Sequence, residues 1–138
     1  KSNFPLPKYA KPGDSGMDVR AFIQDPITLA PLERKLIPTG LYVDIPEGFE
    51  IQVRPRSGLA LKRGLTVLNT PGTVDSSYTG EIGIVLVNLS NETQTIEPGE
   101  RIAQLVVAKV EIVELEEVTV IEKNTERGDS GYGDSGRF

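Results

Sequence analysis

Apolar and polar residues alternate along most of this chain. In the stretch GFEIQVR, Phe49, Ile51 and Val53 alternate with Glu50, Gln52 and Arg54. That period of two turns one face of a strand inward and the other outward. Leu41, Val43 and Ile45 repeat the pattern. Pro- and Gly-bearing turns divide PITLAPLERKLIPTGLYVDIPEGFEIQVRPR into short strands. LTVLNTPGTVDSSYTGEIGIVLVNLS reads as strand, hairpin, strand, and ETQTIEPGERIAQLVVAKVEIVELEEV as further strands with EPGE as a turn. SGLALKRG differs: Ser57 can N-cap a helix of one or two turns running through Lys62, and Gly64 can end it. No other helix is expected in the core.

This turn spacing predicts an all-β barrel or sandwich. IGIVLVNL is apolar on both faces. A single small sheet keeps one face wet, so burial on both sides implies a second layer or another subunit, and an oligomer is expected. The chain turns polar after Glu117 (EKNTERGDSG) and closes on RGDSGYGDSGRF. We divide it into a β-domain over 1–123 and a flexible Gly-rich tail over 124–138.

Composition narrows the chemistry. The 138 residues fit one domain. There is no Cys, so disulfides, thiolate metal sites and a Cys nucleophile are excluded. There is no His, which removes the commonest general base and every Ser-His-Asp triad. Catalysis would have to use carboxylates, hydroxyls, amides and Arg or Lys. A net charge of -5 argues against general nucleic-acid binding. The local cluster of Arg54, Arg56, Lys62 and Arg63 still suits a small anion. No apolar run approaches the ~20 residues that span a membrane, and no charged-then-apolar signal pattern opens the chain. A cytoplasmic location is expected, with an organelle or a virus as the other sources.

Several residues are poorly explained by structure alone. Asp75 and Tyr78 lie in GTVDSSYTGE, in or beside the expected hairpin. Asp and Ser favour turns, but a carboxylate held rigidly at a cleft wall can also activate water. Gln104 shares a strand face with Ile102 and Val106. Buried there without partners, its amide would cost roughly 1–3 kcal/mol, so it bonds internally, sits at an edge or contacts a ligand. Arg56 and Ser57 stand at a helix N-terminus, as a capped end or as a phosphate site. Asp14 and Asp18 share the Gly-bearing loop GDSGMDV, without calcium-loop spacing.

The order of these pieces is more specific than any one of them. PGDSGMDV, RPRSGLALKRG, NTPGTVDSSYTGEI, ERIAQLVV and RGDSGYGDSG follow one another along almost the whole chain. They closely resemble the five motifs of the trimeric dUTPases, the deoxyuridine triphosphate nucleotidohydrolases. The resemblance implies a jelly-roll-type β-barrel with one short helix and a flexible C-terminal tail, assembled as a homotrimer with active sites shared between subunits. It implies Mg2+-dependent hydrolysis of dUTP to dUMP and pyrophosphate. That activity keeps uracil out of DNA and supplies dUMP for thymidylate synthesis. Asp75 resembles the carboxylate that activates the attacking water. Asn69 and the backbone of Gly72, Thr73, Val74 and Asp75 resemble the uracil-reading hairpin, and Tyr78 the ring beneath the deoxyribose. Arg56, Ser57 and Gly58 resemble the phosphate-contacting trio. Gln104 resembles the amide near the α-phosphate and its water. Asp18 matches an Asp that acts near the magnesium, mostly through water, while the triphosphate holds the metal.

In the family the tail folds over the nucleotide. Arg127 would meet the terminal phosphates, Tyr132 would stack on uracil, and Gly133 and Ser135 would approach phosphate oxygens. Ser130 stands where Gly is usual, and Asp134 and Ser135 where Ser and Thr are usual. A carboxylate beside a γ-phosphate repels it unless a cation lies between. Two other readings are a related dCTP deaminase or bifunctional deaminase–dUTPase, which GTVDSSYTGE fits less well, and a dUTPase-like binding or regulatory protein without activity, which the altered tail alone favours.

Overall fold

The computed structural model describes residues 4–138; the first three residues of the expected 1–123 domain lie outside them. Among the described residues the strands are β1 (Gly16–Arg20), β2 (Ile27–Leu29), β3 (Arg34–Pro38), β4 (Phe49–Arg54), β5 (Leu65–Val67), β6 (Gly72–Val74), β7 (Gly83–Asn88), β8 (Gln94–Ile96) and β9 (Arg101–Lys109). The single helix, α1, covers Ser57–Arg63. The strands form three antiparallel sheets, in the orders β1-β9-β4-β6, β2-β8 and β3-β7-β5. Inward residues of all three, among them Val19, Leu29, Ile37, Ile84, Ile96 and Ile102, meet in one core with almost no exposure. Each such side chain contributes about 1.5–3 kcal/mol on burial.

The alternation over Phe49–Arg54 matches the structure, with Ile51 and Val53 buried and Arg54 exposed. β7 is likewise buried on both sides along Leu86, Val87 and Asn88. Three other expectations need correction. Residues 41–45 keep the alternation, with Ile45 buried and Tyr42 and Asp44 exposed, but join no ladder; Ile82 N donates to Leu41 O at 2.9 Å. The expected hairpin is an excursion. β5 and β7 do pair, Val67 opposite Leu86, but β6 leaves them for β4, Val74 opposite Ile51. Residues 110–117 form no strand. The β4–β9 ladder ends where Phe49 faces Lys109, and beyond Val110, whose N–H bonds Gly48 O, the described residues offer no further strand to pair with. Ile112, Val113 and Leu115 are therefore exposed.

Two polar groups, Asn88 buried and Arg63 partly buried, stitch the turns. Asn88 Nδ2 donates to Leu29 O (2.9 Å) and Glu92 O (2.7 Å), and its Oδ1 accepts from Ser90 N and Oγ. Arg63 donates from Nε to Gln94 Oε1 (3.0 Å), from Nη1 to Glu100 Oε2 (3.0 Å) and from Nη2 to Thr95 O. This fork ties the end of α1 to β8 and to the turn before β9.

Candidate active site

α1 starts one residue earlier than its hydroxyl suggests. Arg56 is the N-cap, with extended φ -93° and ψ 131°, and Ser57 is the first helical residue; no side chain caps the turn. Gly64 closes the helix in the left-handed conformation, φ 62°, where L side chains are strained. Freed from capping, Ser57 and Gly58 are exposed at the helix start, the end that carries unpaired N–H groups and the positive end of the helix dipole.

Arg56 turns from the helix toward β1 and β9. Its Nε lies 3.2 Å from Asp18 Oδ1, and its Nη1 donates to Arg101 O at 3.3 Å. Asp18 also faces Arg101 Nε at 4.0 Å and pairs with Gln104 across the ladder. Gln104 in turn pairs with Arg54 on its other side. Its Nε2 donates to Pro55 O at 3.0 Å, which ties one end of the amide to the chain before α1. Two guanidinium groups against one carboxylate leave this cluster net positive, which suits an anion. A cavity of about 560 Å³ opens beside it, lined by Asp18, Arg101 and Gln104 among others.

The second group sits at the other edge of the same sheet. Asp75 follows β6 directly and is exposed, and its carbonyl accepts from Tyr78 N at 3.0 Å. Tyr78 Oη donates to Glu81 O at 2.6 Å. This packs the ring over Gly80, where a Cβ would stand 2.5 Å from Oη and 2.7 Å from Cζ. Asn69 Nδ2 lies over Gly72, 3.3 Å from where a Cβ would be. Thr73, Val74, Tyr78 and Glu81 line a cavity of about 510 Å³. The third group is the tail. Arg127 Nε donates to Ser130 O (2.7 Å), Tyr132 is fully exposed at φ 48°, and Gly133, Asp134 and Ser135 line a small cleft with Arg127. Ser130 has no positive φ, so a side chain there causes no backbone strain.

The first two groups do not converge within one chain. Asp75 follows Val74, which is level with Ile51, whereas Gln104 is level with Arg54. Four residues along the strands and two strand spacings across put Asp75 and Gln104 on the order of 16 Å apart. Arg56 bonds to β1, the strand on the far side of β9 from β6. Sequence reasoning missed Arg101, Gly16 and Gly80, and it placed Arg63 in an anion cluster, whereas Gln94, Glu100 and Thr95 take up its guanidinium. Arg101 stands in ERIAQLVV and was legible as a charge; the glycines act through space that only coordinates reveal.

The comparisons with known proteins agree in direction. The family model described as dUTPase matches residues 2–136. The deoxyuridine 5'-triphosphate nucleotidohydrolase of Fusobacterium nucleatum is 62% identical over 132 residues, 96% of this chain and 90% of that protein. The same-named protein of Finegoldia magna is 57% identical over 136 residues, 99% of this chain and 94% of that one. Among solved structures, a mutant dUTPase of Staphylococcus bacteriophage 80alpha with dUpNHpp superposes at a TM-score of 0.88 with 29% identity, covering 99% of this chain and 95% of that one. The chain belongs to the dUTPase family. It is an enzyme, a dUTP diphosphatase, and its reaction is the hydrolysis of dUTP.

Proposed function

We propose that the enzyme cleaves dUTP between the α- and β-phosphates by direct attack of water. Asp75 takes the proton as the water oxygen bonds the α-phosphorus, the bond to the bridging oxygen breaks, and pyrophosphate leaves. In-line placement and charge neutralisation are enough for such a step, without a covalent intermediate. Arg56 supplies cationic charge to the phosphates, the first turn of α1 supplies Ser57 and Gly58, and Gln104 turns its amide to the α-phosphate and its water. Asn69 and the backbone of Gly72, Thr73, Val74 and Asp75 read uracil; a cytosine would set donor against donor there, which is costly when dry. Tyr78 lies under the deoxyribose and leaves no room for a 2'-hydroxyl.

Magnesium would neutralise charge on the triphosphate. Among the described residues no cluster of three or more acidic side chains could hold a metal, and Asp18 is engaged by two arginines. That donor set fits a metal carried in by the triphosphate, with Asp18 reaching it through water. A dUTPase structure from phage phi11 describes a structural Mg(II) ion in that protein (TM-score 0.78, 26% identity).

The observation that carries the shared-site reading is the separation of Asp75 from Gln104 and Arg56 in one chain. An Asp75 of one subunit meets the phosphate cluster of another in a homotrimer of jelly-roll barrels. The exposed apolar residues over 110–121 support such an assembly. The tail over 124–138 is a flexible lid over the active site. In it Arg127 meets the terminal phosphates, Tyr132 stacks on uracil, and Gly133 and Ser135 approach the phosphate oxygens. The reaction keeps uracil out of DNA and supplies dUMP for thymidylate synthesis, in the cytoplasm. Among the described residues no helix is long and apolar enough to cross a membrane. Asp75→Asn tests the base: kcat should fall by at least about 100-fold with KM for dUTP nearly unchanged. Retained turnover would remove Asp75 from the mechanism.

A further inference from the structure

Gly16 pairs with Val106 and Asp18 with Gln104 across β1 and β9. Gln104 is thus the diagonal neighbour of Gly16 on the same face, within reach of a long side chain. It uses that reach. A Cβ on Gly16 would overlap Gln104 Oε1 outright, with Cδ at 3.1 Å and Gln104 Cβ at 3.4 Å. The amide occupies the space that any other residue at position 16 would fill.

The opposite corner of the amide is fixed as well. Nε2 donates to Pro55 O, which accepts only, and so Oε1 is the atom packed on Gly16. Pro55 immediately precedes Arg56, whose guanidinium bonds Asp18, the cross-strand partner of Gln104. One side chain therefore links β1, β9 and the entry to α1. Its orientation depends on a missing methyl group.

We infer that Gly16 is a positioning residue for the reaction: it sets the amide plane of Gln104 and acts only through it. This rests on the proposed reading that Gln104 works at the α-phosphate. Gly16 lies in a strand without a positive φ, so an L side chain brings no backbone strain. The obstacle is the far end of a flexible side chain, which can swing away. Gly16→Ala should therefore leave the fold nearly intact while displacing the amide, and a displacement near 1 Å at a reacting group costs up to about 100-fold in rate.

The test compares Gly16→Ala, Gln104→Ala and the double variant in the full-length enzyme. It reads kcat for dUTP, Tm, and the side-chain amide resonances of Gln104, identified as the pair missing from the Gln104→Ala spectrum. We expect Gly16→Ala to shift that pair and to lower kcat roughly 10- to 100-fold, with Tm moving by less than about 4 °C. The double variant should be no slower than Gln104→Ala, and any Tm lost in Gly16→Ala should return once the Gln104 side chain is gone. An unshifted amide pair, or rate losses that multiply in the double variant, would overturn the inference. Full turnover in Gln104→Ala would instead defeat the reading of Gln104 as a site residue. The tie between Gly16 and the reaction would fall with it, while a shifted pair in Gly16→Ala would still show that Gly16 sets the amide plane.

Discussion

Asp75→Asn and Arg56→Ala should each disable the enzyme alone and restore it together. The reason is the sheet register. Val74 is level with Ile51, and Gln104 with Arg54, so Asp75 stands on the order of 16 Å from Gln104 in its own chain. Arg56 bonds to Asp18 on β1, further still from β6. A water activated by Asp75 must lie within hydrogen-bond reach of it, which its own phosphate cluster does not allow. If each site joins Asp75 of one chain to Arg56 of the next, chains unfolded together in equal amounts and refolded assemble at random. A site then draws an intact Asp75 from about half of its donors and an intact Arg56 from about half, so about one quarter of sites are whole. Each variant refolded alone should keep less than about 1% of wild-type turnover. Pyrophosphate release from dUTP measures the recovery, with refolded wild-type enzyme as the reference. If the mixture recovers nothing while the wild type returns in full, the sites are not shared and the register argument fails.

Other expected outcomes follow from the same contacts. Arg63→Ala removes three hydrogen bonds, one of them to Glu100, from a group about a quarter exposed. Discounted for solvent, the loss is about 2–4 kcal/mol in urea unfolding at fixed protein concentration. Arg63→Lys should recover only part of it, because an ammonium cannot reproduce the fork; a loss below about 1 kcal/mol in Arg63→Ala would contradict the anchoring role. Gly80→Ala pushes Tyr78 off its seat, so the preference for dUTP over UTP in kcat/KM should fall at least about tenfold; unchanged discrimination would contradict the ring's role. In Asn88→Asp a carboxylate oxygen replaces the amide that donates to Leu29 O and Glu92 O. Full burial and the two acceptors facing it outweigh the Ser90 N–H and Oγ donors on the other oxygen, disfavour the charged form and raise its folded pKa. Stability is then kept below about pH 4, the unfolded value, and lost as pH rises through the folded one. Urea midpoints from pH 4 to pH 8 check the sign, and a midpoint that rises relative to wild type would refute it.

The sequence carried much of this, and where it failed the causes are physical. Alternation at Phe49–Arg54 reveals a strand because both its neighbours, β9 and β6, hold it in a ladder. The same alternation at residues 41–45 reports burial alone, since periodicity records which side is wet and not whether a partner strand exists. The apolar pattern over 110–117 has no partner strand among the described residues. Ser57 misled by one residue because Arg56, drawn to Asp18, already takes the extended cap conformation. Asp75, Arg56 and Gln104 were legible as chemistry, but their 16 Å-scale separation arises from pairings between strands far apart in sequence. The roles of Gly16 and Gly80 are legible only as the space that Gln104 and Tyr78 occupy.

The most direct measurement is pyrophosphate release from dUTP with magnesium present, with dCTP, dTTP and UTP measured in parallel. Rapid release from dUTP, lost when the metal is chelated and at least about 100-fold slower with each other nucleotide, is the result predicted for direct hydrolysis with uracil and deoxyribose both read. Ammonia release from dCTP, or no turnover of dUTP by the intact chain, would contradict it.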